Sequence, residues 1–323
     1  MEGRRLSNRD TVVIARELLP AGDDLLAERF EIRRGGLDAS RQQLLTLAPG
    51  ADALVTDLTV PVGDELLDAC GEGLRIVANF AVGYDNIDLQ TCRRRGIAVT
   101  NTPDALTNAT AELAVTLTLA AARRLTDAER TVRDGRWTGW APGDFRGIEL
   151  SGATVGIVGL GRIGSRYGEL LRGFSARLLY TSRSPKPEGE ALGAERVGLH
   201  ELLEAADVVS LHAPGSPETH HMIGREELDL IGPQGVLVNT ARGTLVDTDA
   251  LVAALADGRL GAAGLDVFEG EPEAPPELLA APRLTLAPHM GSATFTARDA
   301  MARMVAEDVI AVLEGREPAH RVA

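Results

Sequence analysis

Short apolar segments alternate with longer helix-like or charged segments along the chain. In the first third, four of these segments have the composition of buried β-strands. They are "TVVIA" (11–15), "ADALVTD" (51–57), "LRIVANFAV" (74–82) and "GIAVTNT" (96–102). Because helix-like segments separate them, the pattern predicts a small parallel α/β unit, after which Pro103 interrupts the chain.

The next segment is apolar on almost every helical face. It comprises residues 107–125, "TNATAELAVTLTLAAARRL", with Thr107 or Asn108 available as an N-terminal cap. A helix of this composition must be buried, for example between domains or subunits. The loop that follows, 133–147, contains both tryptophans of the chain, Trp137 and Trp140.

A second alternating series occupies the rest of the chain. The strands predicted there are 153–159, 176–182, 207–214, 235–242, 261–268 and 283–289. Helical segments lie between most of them, so the pattern predicts a doubly wound parallel sheet. We interpret the Pro-rich stretch 269–279 as a loop, and we predict a final helix over 294–314 that ends at Gly315.

Composition narrows the function classes. The chain has 323 residues, of which 44% are hydrophobic, enough for two globular domains. A net charge of −14 disfavours nucleic-acid binding, and no apolar run has transmembrane length. The first ten residues lack the pattern of a signal peptide. Cys70 and Cys92 have neither metal-ligand nor disulfide spacing, so we expect a cytoplasmic protein, and we assign no metal ligands from the sequence.

A glycine-rich turn follows the first strand of the second series. In "VGIVGLGRIGSRYGELL", Gly159 permits a tight turn, Gly161 lets a diphosphate approach the backbone, and Gly164 lets the helix pack on the strand. The strand–turn–helix context predicts a dinucleotide site at the helix N-terminus.

The end of the next strand indicates which dinucleotide binds. An NAD site usually places an acidic residue there to bind the ribose hydroxyls. The segment "YTSRSPKP" (180–187) has none, and it contains the only lysine of the chain. Its hydroxyls and cations suit a 2′-phosphate; they are Ser182, Arg183, Ser184 and Lys186. NADPH is therefore favoured, with NADH possible; the alternative interpretation is a solvated basic loop.

Several further motifs recur in order along the chain. They are "VANFAVGYDNID" (77–88), "RRGIAVTNTPDALTNATAELA" (94–114), "NTARGTLVD" (239–247), "AGLDVFEGEP" (263–272), "APHMGSAT" (287–294) and "GSATFTARDAM" (291–301). With these motifs and the glycine loop, the chain resembles the D-isomer-specific 2-hydroxyacid dehydrogenases. Within that family it looks most like the glyoxylate/hydroxypyruvate reductases.

The resemblance implies an α/β fold of two Rossmann-like domains with parallel sheets and an active site in the cleft between them. The substrate-binding domain would be discontinuous and flavodoxin-like, formed by residues 1–102 and 290–323. The NAD(P)-binding domain would be formed by residues 103–289. The resemblance also implies a homodimer through the coenzyme-binding domain.

The resemblance assigns the chemistry to three polar residues. Arg242 would bind the carboxylate and carbonyl of a small 2-keto acid, because a guanidinium can meet two oxygens in one plane. His289 would be the general acid/base, and Glu271 would be the carboxylate paired with it. A histidine at a strand end is usually structural. What indicates a catalytic role for His289 is its match to the family's motif. The expected reaction is reduction of glyoxylate and hydroxypyruvate to glycolate and D-glycerate.

Other positions carry over from the family less directly. The backbone N–H groups of Val82 and Gly83 would bind the substrate carboxylate, and Trp140 would reach the partner's active site or simply pack in its loop. The residues expected to contact the cofactor are Thr110, Leu160, Gly161, Arg162, Ile163, Thr240, Ala241, Asp266 and Gly291. We assign no chemistry to His212, His220 or His221.

Two alternative functions stay open on the sequence. One is another D-2-hydroxyacid dehydrogenase, of the 2-ketogluconate reductase or phosphoglycerate dehydrogenase type. The other is a dinucleotide-sensing protein without turnover, because the same family includes transcriptional corepressors.

Overall fold

A computed structural model describes residues 9–323 of the chain. Most of the N-terminal segment that lacks a signal-peptide pattern lies outside the described residues. The chain divides into two compact units, one formed by Thr107–Gly291 and the other by the residues up to Leu106 together with Ser292–Ala323. The domain boundaries predicted from the sequence, after residue 102 and before residue 290, stay a prediction. No helix within residues 9–323 is long and apolar enough to cross a membrane.

The strands, in chain order, are β1 (Thr11–Ile14), β2 (Glu31–Arg34), β3 (Ala53–Thr56), β4 (Ile76–Asn79), β5 (Ala98–Thr100), β6 (Thr154–Val158), β7 (Arg177–Thr181), β8 (Glu195–Arg196), β9 (Val208–Leu211), β10 (Val236–Asn239), β11 (Ala262–Leu265) and β12 (Leu284–Leu286).

The α-helices are α1 (Pro20–Ala27), α2 (Arg41–Leu47), α3 (Asp64–Cys70), α4 (Leu89–Arg95), α5 (Thr107–Ala122), α6 (Leu125–Arg133), α7 (Arg162–Leu171), α8 (Pro187–Leu192), α9 (Leu199–Ala205), α10 (Arg225–Ile231), α11 (Thr248–Asp257), α12 (Pro276–Ala280) and α13 (Phe295–Leu313).

The first unit has a five-stranded parallel sheet in the order β2-β1-β3-β4-β5, which is the flavodoxin-like order. Its central strands are buried on both faces, as expected for a parallel sheet covered by helices. Leu26 of α1 and Val309 of α13 belong to the core on one face. Leu44, Leu66 and Cys92, from α2, α3 and α4, belong to the core on the other. The C-terminal helix thus completes the unit that the N-terminal part begins.

The second unit has a seven-stranded parallel sheet in the order β12-β11-β10-β9-β6-β7-β8. This is the Rossmann order with one additional strand, β12, at one edge. The connections reverse direction between β6 and β9, so these two adjacent strands form the switch point at which such sheets bind ligands. The apolar helix α5 packs against α7 and β10–β12, with Ala111, Ala114 and Leu117 in the core.

All ten strand segments predicted from the sequence contain a strand of the structure. Two strands were not predicted. β2, "EIRR", is a partly exposed edge strand without an apolar run, and β8 is only two residues long. The interpretation of the Pro-rich stretch 269–279 as a loop was partly wrong, because the short helix α12 begins at Pro276.

Candidate active site

Three neighbouring strands end at one edge of the seven-stranded sheet. In the parallel register Asn239 of β10 pairs with Leu265 of β11, which pairs with Leu286 of β12. Arg242 follows the end of β10, and His289 follows the end of β12. Since the carboxyl ends of parallel strands share an edge, both residues leave the sheet at the same edge, on either side of β11.

The His289 side chain is hydrogen-bonded to Glu271, which lies in the loop after β11. Nδ1 of His289 lies 2.7 Å from Oε2 of Glu271, and each side chain is about one-quarter exposed. The other oxygen of Glu271, Oε1, accepts a hydrogen bond from the backbone N–H of Phe268 at 2.9 Å. His289 has a φ of +50°, a backbone conformation that few non-glycine residues adopt and that is concentrated at functional sites. The imidazole and carboxylate are therefore in direct contact, and both are anchored to the sheet edge.

Asp266 fixes the segment that carries His289. Its buried carboxylate accepts hydrogen bonds from the backbone N–H groups of Met290 at 2.7 Å and Gly291 at 2.8 Å. Its carbonyl accepts a further bond from the N–H of His289. Desolvation by burial raises the pKa of Asp266 despite these hydrogen bonds. Thr110 of α5 donates its hydroxyl to the carbonyl of Gly291 at 3.0 Å, so three residues expected to face the cofactor lie together.

The turn that carries Arg242 is held by a fully buried amide. Nδ2 of Asn239 donates to the carbonyl of Arg242 at 2.8 Å, and Oδ1 accepts from the N–H of Ala241 at 3.0 Å. A Cβ at Gly243 would lie 2.2 Å from the carbonyl carbon of Phe268, so this turn packs against the loop after β11. Neither Asn239 nor Gly243 was predicted; the available signal was an amide ending an otherwise apolar strand.

The glycine loop lies at the switch point of the sheet. Gly159 has a φ of +96°, and a Cβ there would lie 2.8 Å from the backbone of His212 at the end of β9. A Cβ at Gly164 would lie 2.3 Å from the carbonyl oxygen of Gly159, so α7 packs tightly on the turn. A Cβ at Gly161 would meet no atom within 4 Å, so this side of the backbone is open to a ligand.

These features fit a dinucleotide. Among the described residues no side chain caps the N-terminus of α7, which begins at Arg162, so the dipole end of the helix faces the open side of Gly161. Leu160 is buried, so its side chain does not compete for this space. Within residues 9–323 the buried hydroxyl of Thr240 has no hydrogen-bond partner, which leaves it available to a bound group.

The loop after β7 presents cations and hydroxyls at its surface. Arg183 and Ser184 are exposed, and Ser182 donates its hydroxyl to the carbonyl of Ser184 at 2.6 Å. Lys186 precedes α8, and its backbone N–H donates to the Tyr180 hydroxyl at 3.3 Å.

Two further charged residues border this loop and were not predicted. Arg196 of β8 donates to the carbonyl of Ser182 at 3.0 Å, which adds a third guanidinium or ammonium group beside the loop. The other is Glu218: a hydrogen bond from the Ser216 side chain, a backbone hydrogen bond and the charge of Arg183 lower its pKa. β8 is too short to be found from periodicity, so sequence reasoning had no signal for Arg196.

A sequence model described as "D-isomer specific 2-hydroxyacid dehydrogenase, NAD binding domain" matches residues 115–291, more than half of the chain. The chain belongs to the D-isomer-specific 2-hydroxyacid dehydrogenase family. It is therefore an NAD(P)-dependent oxidoreductase, and the matched domain falls inside the unit Thr107–Gly291.

Relatives of this dehydrogenase match it over nearly their whole length. A glyoxylate reductase from Thermococcus onnurineus is 48% identical over 314 residues, which cover 95% of this chain and 94% of that one. The crystal structure of an NADPH-dependent glyoxylate/hydroxypyruvate reductase from Sinorhizobium meliloti, in complex with NADP and malonate, has a TM-score of 0.85 and 35% identity. It covers 98% of this chain and 97% of that one. A Thermus thermophilus protein reaches a TM-score of 0.90 at 43% identity, covering 97% and 100%.

In the other unit of the dehydrogenase, side-chain amides hold the loop after β4. Nδ2 of Asn79 donates to the carbonyl of Gly83, and Nδ2 of Asn101 donates to the carbonyl of Val82, both at 2.7 Å. Among residues 9–323, neither N–H group of Val82 or Gly83 has a hydrogen-bond partner. The loop is thus held through its carbonyls, with its donors available. Tyr84, at the end of this loop, is 40% exposed.

The remaining predicted site residue of the dehydrogenase, Trp140, is 83% exposed and belongs to none of the hydrophobic clusters within residues 9–323. His212, to which we assigned no chemistry, stands beside the glycine loop at the end of β9. Its Nε2 lies 2.9 Å from the Ser210 hydroxyl, and burial lowers the pKa of His212 to about 3. The ring is therefore neutral at pH 7 and is a fixed polar neighbour of the switch point.

Proposed function

We propose that this dehydrogenase reduces glyoxylate and hydroxypyruvate to glycolate and D-glycerate and that it prefers NADPH to NADH. The observation that carries the proposal is the 2.7 Å contact of His289 with Glu271, at the sheet edge from which Arg242 also emerges. The substrate assignment is supported by the relatives, of which one is a glyoxylate reductase and another a glyoxylate/hydroxypyruvate reductase.

His289 is the proposed proton donor. Because Glu271 engages Nδ1, Nε2 is the ring nitrogen that can donate a proton to the ketone oxygen of the substrate. The carboxylate holds the ring in one orientation and balances the charge of its protonated form. After donation the neutral ring can accept a proton in the reverse direction, so the same pair serves both directions of the reaction.

Arg242 is the proposed ligand of the substrate carboxylate and ketone oxygen. Its guanidinium offers parallel donors in one plane, which suits a 2-keto acid because its carboxylate and ketone oxygens are adjacent. The N–H groups of Val82 and Gly83 are proposed to bind the same carboxylate. Reduced nicotinamide, when bound, supplies the hydride for the ketone carbon.

The cofactor contacts are proposed along the carboxyl edge of the seven-stranded sheet. Leu160 to Ile163 would bind the diphosphate through backbone N–H groups, and Thr110, Thr240, Ala241, Asp266 and Gly291 would surround the nicotinamide. The NADPH preference is supported by residues 182–186 and the neighbouring Arg196, which offer several donors and no carboxylate within the loop. We further propose a cytoplasmic homodimer, formed through the coenzyme-binding unit, in which Trp140 reaches the partner's active site.

A spectrophotometric panel tests the proposal. NADPH and NADH are each combined with glyoxylate, hydroxypyruvate, pyruvate and 2-ketogluconate, and kcat/KM is measured from the loss of reduced cofactor. We expect the highest values for glyoxylate and hydroxypyruvate with NADPH. A higher value for 2-ketogluconate would assign the enzyme to another branch of the family. Binding of NADPH without turnover of any keto acid would instead support a dinucleotide sensor.

A further inference from the structure

We infer that His220, His221 and Glu269 form a binding site for a divalent transition-metal ion of the zinc type. Each residue offers one ligand atom, and these atoms lie within 4.8 Å of one another. All three residues belong to the unit Thr107–Gly291, and none of them has a role in the proposed reduction. The inference therefore does not depend on the proposed function.

The backbone at His221 explains how two adjacent histidines can serve one site. In an extended chain consecutive side chains point in opposite directions. His221 instead has a φ of +51°, and its N–H donates to the carbonyl of Thr244 at 2.8 Å. As a result the rings of His220 and His221 stand side by side, with centroids 3.9 Å apart and planes inclined by 30°. Such a backbone conformation is costly for a non-glycine residue, and strain of this kind often marks a functional site.

Glu269 is the third ligand and is held in place from the opposite side. Its Oε1 lies 2.7 Å from Nε2 of His221, and its Oε2 accepts a hydrogen bond from the Thr248 hydroxyl at 2.9 Å. Nδ1 of His221 faces Asp247, whose Oδ2 lies 4.0 Å away. A carboxylate behind a metal-binding imidazole is the usual outer support of such ligands, and a small approach of Asp247 provides it here.

The ligand set selects the class of ion. Two imidazoles and one carboxylate suit Zn²⁺, Co²⁺ or Ni²⁺, whereas Mg²⁺ and Ca²⁺ prefer sites made of oxygen atoms. With bonds of about 2.0–2.2 Å, tetrahedral ligand atoms lie about 3.3–3.6 Å apart. The contact between His221 and Glu269 must open slightly, and the exposed side chain of His220 must move inward. Water would occupy the fourth position.

The location predicts a structural consequence of binding. Glu269 lies between Phe268 and Glu271 in the sequence, and the backbone N–H of Phe268 donates a hydrogen bond to Glu271. The carbonyl that holds His221 belongs to Thr244, in the turn that begins with Arg242. A bound ion would thus tie the loop after β9 to the loop after β11, which also carries Glu271, beside the turn that carries Arg242. We expect Zn²⁺ to raise the Tm of this protein.

Isothermal titration of the chelator-treated full chain with Zn²⁺ tests the site, and Co²⁺ absorption spectroscopy reports its coordination. We expect one saturable ion per chain and the visible spectrum of four-coordinate Co²⁺. His220→Ala, which alters an exposed side chain, should weaken binding at least about tenfold without lowering the Tm of the metal-free protein. Glu269→Gln should weaken it similarly.

His200→Ala is the matched control, because His200 is also an exposed histidine near a carboxylate, 3.6 Å from Glu227. Its binding of Zn²⁺ should equal that of the unmodified chain. The inference is overturned if the chain binds no stoichiometric Zn²⁺. It is equally overturned if His220→Ala binds as tightly as the unmodified chain, or if His200→Ala loses as much affinity as His220→Ala.

Discussion

The contact of His289 with Glu271 makes a selective test of the proposed proton donor possible. His289→Asn suits the left-handed backbone at this position, because asparagine adopts positive φ more readily than most residues. The amide cannot donate a proton to the ketone, so we expect kcat to fall by about 10²–10⁴-fold. The dissociation constant of NADPH, measured by fluorescence titration, should change little. A variant with unchanged kcat would remove His289 from the mechanism.

The cofactor preference is testable at Arg183. Arg183→Ala removes an exposed guanidinium from the loop after β7, and only NADPH has a 2′-phosphate that can lose a contact. We expect the KM for NADPH to rise at least about tenfold while the KM for NADH changes less than twofold. The control is Arg177→Ala, at the opposite end of β7, where the arginine pairs with Glu195. Equal losses for both cofactors would contradict the assignment of residues 182–186 to the phosphate.

His212 predicts a pH dependence of stability. Its pKa is lowered by burial from 6.5 to about 3 in the folded protein. Between these values the unfolded chain binds a proton that the folded chain does not, so stability falls as the pH is lowered through this range. From pH 7.5 to pH 5.5 the contribution of His212 is a loss of about 1 kcal/mol.

Urea titrations of the full chain at both pH values measure this effect. His212→Gln should lose about 1 kcal/mol less than the unmodified chain on acidification, whatever its stability at pH 7.5. His200→Gln, at an exposed position, should behave like the unmodified chain. A His212→Gln variant with the same pH response as the parent would show that this ring is accessible to protons in the folded state.

At the scale of elements, the strands buried on both faces could be predicted because each is a continuous apolar run. β2 could not, since its side chains are partly exposed and its residues are "EIRR". The glycine loop could be predicted because its contacts are local, between Gly159 and Gly164. The contact of His289 with Glu271 could be expected only from family resemblance. Two other contacts could not be predicted. Arg196, which donates to Ser182, lies in a strand of only two residues, and Glu269 and His221 are 48 positions apart in the sequence.

The packing of α1 on α13 gives a prediction in which two effects oppose each other. Gly22→Ala should favour α1 by about 1 kcal/mol through helix propensity. A Cβ at Gly22, however, would lie 2.2 Å from the carbonyl oxygen of Ala302, a backbone atom that cannot move aside cheaply. The steric term should dominate, with a net loss of about 1–3 kcal/mol in the free energy of unfolding.

Urea titration combined with hydrogen exchange in α1 and α13 measures this loss. Gly73→Ala is the control, because a Cβ there meets no atom within 4 Å, and it should change stability by less than about 0.5 kcal/mol. Gly22→Ala with unchanged or increased stability would show that the two helices can separate at little cost.

At the scale of the whole molecule, a segment of the coenzyme-binding unit exposes large apolar side chains. Leu125 and Val132 of α6 are each 59% exposed, and Trp137 and Trp140 in the following loop are 58% and 83% exposed. None of the residues of α6 is buried. Large apolar side chains exposed together on one segment often mark an interface, which supports the proposed homodimer. The predicted position of the active site in the cleft between the domains stays a prediction.

Sedimentation equilibrium over a range of concentrations tests the homodimer. We expect the unmodified chain to be dimeric, and the double variant Trp137→Ala/Trp140→Ala should raise the dimer dissociation constant by at least about tenfold, because buried tryptophans dominate interface energies. Leu37→Ala is the control, since Leu37 is 63% exposed but lies in the other unit.

If Trp140 also reaches the partner's active site, the single variant Trp140→Ala should raise the KM for hydroxypyruvate even at concentrations where the dimer persists. A monomeric unmodified chain would contradict the homodimer, whereas a persistent dimer with unchanged KM would restrict Trp140 to packing.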